Sequence, residues 1–390
     1  MQHAPARELL HFIKNSPTCY HVTENIRQKL LANGYTELSE RERWEVVLGG
    51  KYFVRRNGSS TIAFRVPEMI DGGFAMAAAH SDSPAFRLKE HPARRSAHYV
   101  QLSTEKYGGM LMSTWFDRPL SVAGRVFVRA NGEIVEKLVS VDRDLLVIPS
   151  LAIHFQRDVN KGKVFNPQID MQPLWGPAGS RTLTDLICEE LGITAEDILD
   201  WDLQLVTRQA PVQIGPDNEY FMAPRIDDLE CAATTLLAFL DASGEADSAC
   251  APVWAMFDNE EVGSSSRMGA ESSFLRDVLD RILDAVPHSG QAAARAMANS
   301  FMLSADNAHA THPNFPQKAD PCAPVRMGGG VVLKYNASQK YTTNAVSGAV
   351  FRAVCEKAGV PVQVFTNRAD EPGGSTLGNL QSHTLPIPMA

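Results

Sequence analysis

Two adjacent glutamates at the end of an apolar run are the residues of this chain best placed to do chemistry. The stretch APVWAMFDNEEVGSS, residues 251–265, reads as a buried strand finishing in Asp258, Glu260 and Glu261 ahead of Gly263 and a serine cluster. Carboxylates this close resist joint ionisation, so either one is neutral or a cation sits among them. The alternative is a solvated pair opening a helix, where the N-terminal dipole favours acids. Glu189 and Glu190 illustrate that alternative. They lie in TLTDLICEELG, an amphipathic helical pattern with no apolar strand before it, which predicts two surface acids. Polar groups converging at strand ends are where open α/β sheets bind ligands, and this favours chemistry for Glu260 and Glu261.

Other stretches repeat the arrangement. GGFAMAAAHSDSP, residues 72–84, is a second buried strand that ends with His80 and Asp82 two positions apart, hence on one face. An H-x-D pair suits a metal-binding histidine oriented by a carboxylate; the alternative is a loop histidine near an unrelated N-capping aspartate. SFMLSADNAHATHPN, residues 300–314, is a third apolar run with Asp306 at its end and His309 and His312 beyond. APRIDDLECAATTLLAFLDAS, residues 223–243, sets Asp227 and Asp228 at the mouth of a long apolar helix, where ordinary capping would also place acids.

In a parallel sheet the three strand ends share one rim. One imidazole among several carboxylates describes a zinc, manganese or cobalt site better than magnesium or a thiolate-bound structural zinc. More acids are present than one ion requires. A two-metal site with a bridging carboxylate, and one acid left as general base, accounts for them. No H-E-x-x-H, phosphate-loop or G-x-S-x-G motif occurs, and the triple glycine at 328–330 precedes a strand, the reverse of a phosphate cradle.

The elements that must position these groups point to an interrupted α/β fold. Residues 5–15 and 20–33 read as helices, and residues 51–66 as a hairpin turning at Asn57-Gly58. From about residue 90 the texture becomes β-rich, with a hairpin turning at Asn131-Gly132, a helix over 181–199 and a strand from 201 to 215. The predicted organisation is a catalytic α/β domain with a mixed, largely parallel sheet flanked by helices, in two parts (1–89 and 221–390), interrupted by a β-rich domain at 90–220. Surface hairpins of that kind suggest self-association.

With 390 residues, 44% of them apolar, the chain can build a sizeable core, and its net charge of -8 argues against nucleic acid or an anionic membrane as partner. A pocket for a small anionic substrate is compatible with that charge. No apolar run approaches the length of a membrane helix and the N-terminus lacks a secretory segment, so a cytoplasmic location is expected. The six cysteines are scattered, without C-x-x-C spacing, and read as reduced thiols.

The segments HSDSP at 80, WFDRPLS at 115, LAIH at 151, PRIDDL at 224, DNEEVGSS at 258, SADNAHATHPN at 304, NASQKYTTNA at 336 and GGSTLGN at 373 resemble, in order, the M18 metallo-aminopeptidases, the aspartyl aminopeptidases. The resemblance implies two zinc ions per subunit, with cobalt or manganese as substitutes. His80 and Asp306 would hold one, Asp227 would bridge, and Glu261 would hold the other. Glu260 would deprotonate the attacking water and Asp82 would orient His80. Lys334 would face an acidic substrate side chain, with Tyr341 also in the substrate site, and His154 would be lent to a neighbouring subunit's active site. His309 and His312 would be rim and structural groups. Peptide substrates and dimers assembled into a dodecamer follow from the same resemblance.

Family members continue with a strand and an M-H-S segment whose histidine completes the second metal, whereas this chain stops at IPMA. A histidine-bearing tail beyond Ala390 is therefore expected; without it the second ion keeps Asp227 and Glu261, and the spacing of His383 does not support it as a substitute. Two other functions fit the same residues: a metal-depleted relative serving as an assembly or cargo particle, and a deacylase of N-acyl amino acids.

Overall fold

The apolar runs that precede His80, Asp258 and Asp306 form the strands Phe74–His80, Ala251–Phe257 and Phe301–Ser304. A computed structural model describes residues 4–242, 250–287 and 290–390. It divides the chain into two compact units, Met1–Asn25 with Ser83–Arg225, and Ile26–Asp82 with Ile226–Ala390. The fold is mixed α/β.

In the unit that carries the acids, six strands lie in the order Thr36–Leu38, Lys51–Arg56, Ser60–Arg65, Ala251–Phe257, Phe74–His80, Phe301–Ser304. The last three are parallel, with Phe257 opposite His80 and Ser304 opposite Ala78. That register brings the residues following all three strands out at one edge. The 51–66 hairpin is antiparallel and joins this group through Ser60–Arg65. Its turn sets Asn57 and Gly58 at φ +57° and +65°, which these residue types tolerate.

Both faces of the sheet are covered, which is why its central strands read as unbroken apolar runs. Val253, Ala255 and Phe257 join Phe274, Val278 and Ile282 of the helix Phe274–Ala285 in one hydrophobic cluster. Trp254 points to the opposite face, where its Nε1 donates to Thr235 Oγ1 at 2.9 Å on the helix Ile226–Ala242. That helix buries Leu229, Ala232, Leu236 and Phe239, spaced three or four apart. At the edge strand, Met302 N donates to Pro388 O and Ala390 N to Met302 O, each at 3.1 Å. The strands Val331–Tyr335 and Val362–Thr366 form a separate parallel pair.

The other unit holds an antiparallel sheet in the order Glu133–Ser140, Leu120–Ala130, Ile198–Thr207, Ala85–Arg95, Tyr99–Tyr107, Leu174–Pro177. Asn131 and Gly132, at φ +52° and +83°, make the two-residue turn expected between the first two. The helix predicted over 181–199 is shorter, Leu183–Leu191. A Thr182/Asp185 capping box starts it and Gly192 in the left-handed region stops it. The strand predicted over 201–215 is two strands, Ile198–Thr207 and Val212–Ile214. Residues 4–25 group with this sheet, unlike the sequence-drawn segment 1–89. Arg225 donates to the carbonyls of Ile13 and Ser16, and the Arg125 guanidinium lies 4.1 Å from the Tyr20 ring centroid.

Candidate metal centre

His80 is the last residue of its strand and is buried. Its Nδ1 lies 3.1 Å from the Asp82 carbonyl oxygen and 3.3 Å from Asp82 Oδ1. A carbonyl only accepts, so Nδ1 carries hydrogen and Nε2 is the nitrogen offered to the cluster. Nε2 is 3.3 Å from Asp227 Oδ1 and 4.0 Å from Asp228 Oδ2.

Asp227 and Asp228 sit at the head of their helix with non-helical backbone, joined by a cis peptide bond. Asp228 is fully buried, and its Oδ2 accepts the His80 backbone N–H at 3.0 Å; the Asp227 side chain is 55% exposed. Asp306 follows the edge strand by two residues. One ligand atom from each of His80, Asp227, Asp228 and Asp306 lies within 4.8 Å of all the others.

Glu260 and Glu261 begin a short 3-10 turn, Glu260–Val262, after Asn259 at φ +63°. Their amides are held from across the rim: Glu260 N–H donates to Asp82 Oδ1 and Glu261 N–H to Asp82 Oδ2, each at 3.1 Å. Asp82 thus orients His80 and anchors the glutamate loop at once. Spacing within H-x-D announces the first task; the second is a contact across 178 positions that no local pattern carries.

Charge in this corner is unbalanced. Burial alone would pull the His80 imidazole down, but Asp228, Asp227 and Asp82 hold it well above its ordinary value. Burial pushes Asp228 well up, opposed by His80 and reinforced by Asp306. It likewise raises Glu260 to about 7 and Glu261 to about 8, against the pull of His80 and with the help of neighbouring acids. Asp306 is raised for the same reason, although Lys334 opposes the shift. One imidazole cannot neutralise so many buried carboxyls, and a divalent cation does so directly. Asp228 Oδ1 is, moreover, buried with no hydrogen-bond partner among the described residues. Nitrogen and carboxylate donors at this separation fit zinc, cobalt or manganese.

Residues 12–388 match the family described as "Aminopeptidase I zinc metalloprotease (M18)". The chain belongs to the M18 family. A relative named probable M18 family aminopeptidase 2, from Clostridium acetobutylicum, is 44% identical over 97% of this chain and 89% of its own. Among solved structures, the mApe1 of Chaetomium thermophilum is 34% identical with a TM-score of 0.87, over 98% of this chain and 89% of that one. The mApe1 dodecamer of S. cerevisiae is 25% identical with a TM-score of 0.88, over 100% and 89%. Metal-dependent aminopeptidase activity follows from M18 membership, and the His and Asp cluster supplies a place for the metal.

The remaining residues singled out by the M18 resemblance distribute as follows. Lys334 does not point to solvent: its side chain is 16% exposed, its Nζ donates to Asn307 O at 2.8 Å, and it lies 3.6 Å from Asp306 Oδ1. Tyr341 is buried, its ring centroid 5.6 Å from that Nζ. His309 and His312 are exposed, and neither enters the cluster found among the described residues. His154 is exposed on the 3-10 turn Ile153–Phe155 of the β-rich unit. His383 lies 3.9 Å from Glu271, outside that cluster. Asp228 is the member that sequence spacing underrated, because capping explains an Asp-Asp pair equally well. Among the described residues no helix is long and apolar enough to cross a membrane.

Proposed function

We propose that the M18 chemistry here removes acidic N-terminal residues from peptides, with Glu260 as general base and a two-ion site held by His80, Asp227, Glu261 and Asp306. Asp227 would be the ligand shared by the two ions, since its exposed carboxylate faces His80 Nε2 while Asp228 Oδ2 is engaged by the His80 amide. The observation that supports it is the convergence of His80, Asp227, Asp228 and Asp306 on one point, with Asp82 tying the Glu260 loop to the same rim.

Divalent ions held there would supply Lewis acidity toward a carbonyl and would lower the pKa of water. Glu260 takes a proton from water as its oxygen bonds to the scissile carbonyl carbon, and returns that proton to the leaving amine as the C–N bond breaks. Asp82 holds Glu260 in place through its amide. The free substrate amine pairs with the surrounding carboxylates, and Lys334 pairs with the substrate's acidic side chain.

Self-association belongs to the same reading. It is supported by the dodecameric yeast structure and by exposed Leu151, Ile153 and Phe155 around His154. The decisive experiment is hydrolysis of an aspartyl anilide by the zinc- or cobalt-loaded protein and by Glu260→Gln. Equal rates in the two would remove Glu260 from its role.

A further inference from the structure

Glu230 lies two residues beyond Asp228 on the helix Ile226–Ala242, and no reading of the metal cluster requires it. Its Oε2 accepts from Asn307 Nδ2 at 2.9 Å. An ionised carboxylate can only accept, so it selects the amide nitrogen of Asn307 and fixes which way that side chain faces. Asn307 Oδ1 is thereby left buried with no hydrogen-bond partner among the described residues. An unsatisfied buried oxygen costs stability, which indicates that the orientation itself is what is being kept.

The backbone of the same residue does the rest. Asn307 O accepts from Lys334 Nζ at 2.8 Å, and Asp306, one position earlier, lies 3.6 Å from that Nζ. An ammonium has three donors, and these two neighbours set the direction of the third. Three segments distant in sequence, around 230, 306–307 and 334, thus meet through one asparagine. We propose that Glu230, acting through Asn307, is a positioning residue that fixes the Lys334 ammonium beside the carboxylate cluster. Its consequence for selectivity toward acidic N-termini rests on the substrate role of Lys334 given above.

The test uses the full chain and compares Glu230→Ala, which removes the acceptor, with Glu230→Gln, whose amide oxygen still accepts from Asn307 Nδ2. Asn307→Leu is a second variant that removes the amide and keeps the backbone carbonyl. The first readout is the rate of Lys334 acetylation under limiting reagent, measured by mass spectrometry against the exposed Lys161 in the same sample. Acetylation of Lys334 rises several-fold in Glu230→Ala and Asn307→Leu and stays near the wild-type rate in Glu230→Gln. An unaltered rate in Glu230→Ala, or a Glu230→Gln protein that behaves like Glu230→Ala, overturns the proposal.

The second readout is the kcat/KM ratio for aspartyl over leucyl anilide in the zinc-loaded protein. It falls through KM in Glu230→Ala and is restored in Glu230→Gln. Raised acetylation with an unaltered ratio keeps the positioning role of Glu230 and sinks the substrate role of Lys334.

Discussion

The chain contains two adjacent glutamate pairs whose surroundings could hardly differ more. Glu189 and Glu190 are exposed near the end of the amphipathic helix Leu183–Leu191, whose buried side is Leu183, Leu186 and Ile187. Glu260 and Glu261 follow a strand buried along nearly its whole length, and their main chain is gripped by a buried aspartate. On the helix surface both carboxylates face solvent, and Glu189 also has the Arg181 guanidinium as its partner. At the strand end, burial and neighbouring acids raise Glu260 and Glu261 to about 7 and about 8. Adjacency of acids therefore says little, and the element that delivers them decides their chemistry.

The sharpest way to break this contrast is to neutralise one pair at a time. Glu260→Gln is expected to lower kcat by about 10²- to 10⁴-fold, the usual worth of a general base. Glu189→Gln and Glu190→Gln leave kcat where it was; a comparable loss from either would end the distinction. Next in size, His80→Ala, which deletes the nitrogen donor, is expected to reduce tightly held zinc per chain on dialysis against a weak chelator, measured by atomic emission. Undiminished zinc content would place the ion elsewhere.

The third prediction concerns pH. A carboxyl whose pKa is raised on folding binds its proton more tightly when folded. The stability from Glu260 and Glu261 is thus present below about 4.5 and is lost as pH rises through about 7 to 8. Metal-free protein should melt at lower temperature at pH 8.5 than at pH 5, and Glu261→Gln should shrink that difference. Zinc should close most of the gap by binding the folded state. A melting temperature insensitive to pH across this window would refute the assignment. The smallest effect on activity is at Trp254→Phe, which loses the bond to Thr235 and leaves a gap at a fully buried position; it should cost about 1–3 kcal/mol by denaturant melts, without touching selectivity.

Much of this was legible beforehand because strand period and strand ends are local properties. Apolar runs at 74–80, 251–257 and 301–304 announce parallel strands, and the acids that follow each one announce the rim. Asp228 was less legible: an Asp-Asp pair before an apolar helix is equally a cap, and its membership depends on backbone that departs from helix at both residues. The end of the helix at Leu191 was signalled by Gly192, and the pattern of 193–199 concealed a turn followed by a strand. Contacts that bridge long separations, Asp82 with the glutamate amides and Asn307 with Glu230, have no sequence period to betray them.

His80 contributes to its surroundings in two separable ways, through a ring that faces Asp227 and an amide that holds Asp228. Removing the ring leaves that amide tether where it is, so an alanine there opens a socket whose carboxylate wall still stands. Free imidazole is of the size to enter such a socket, which makes this corner of the enzyme a natural place for chemical rescue.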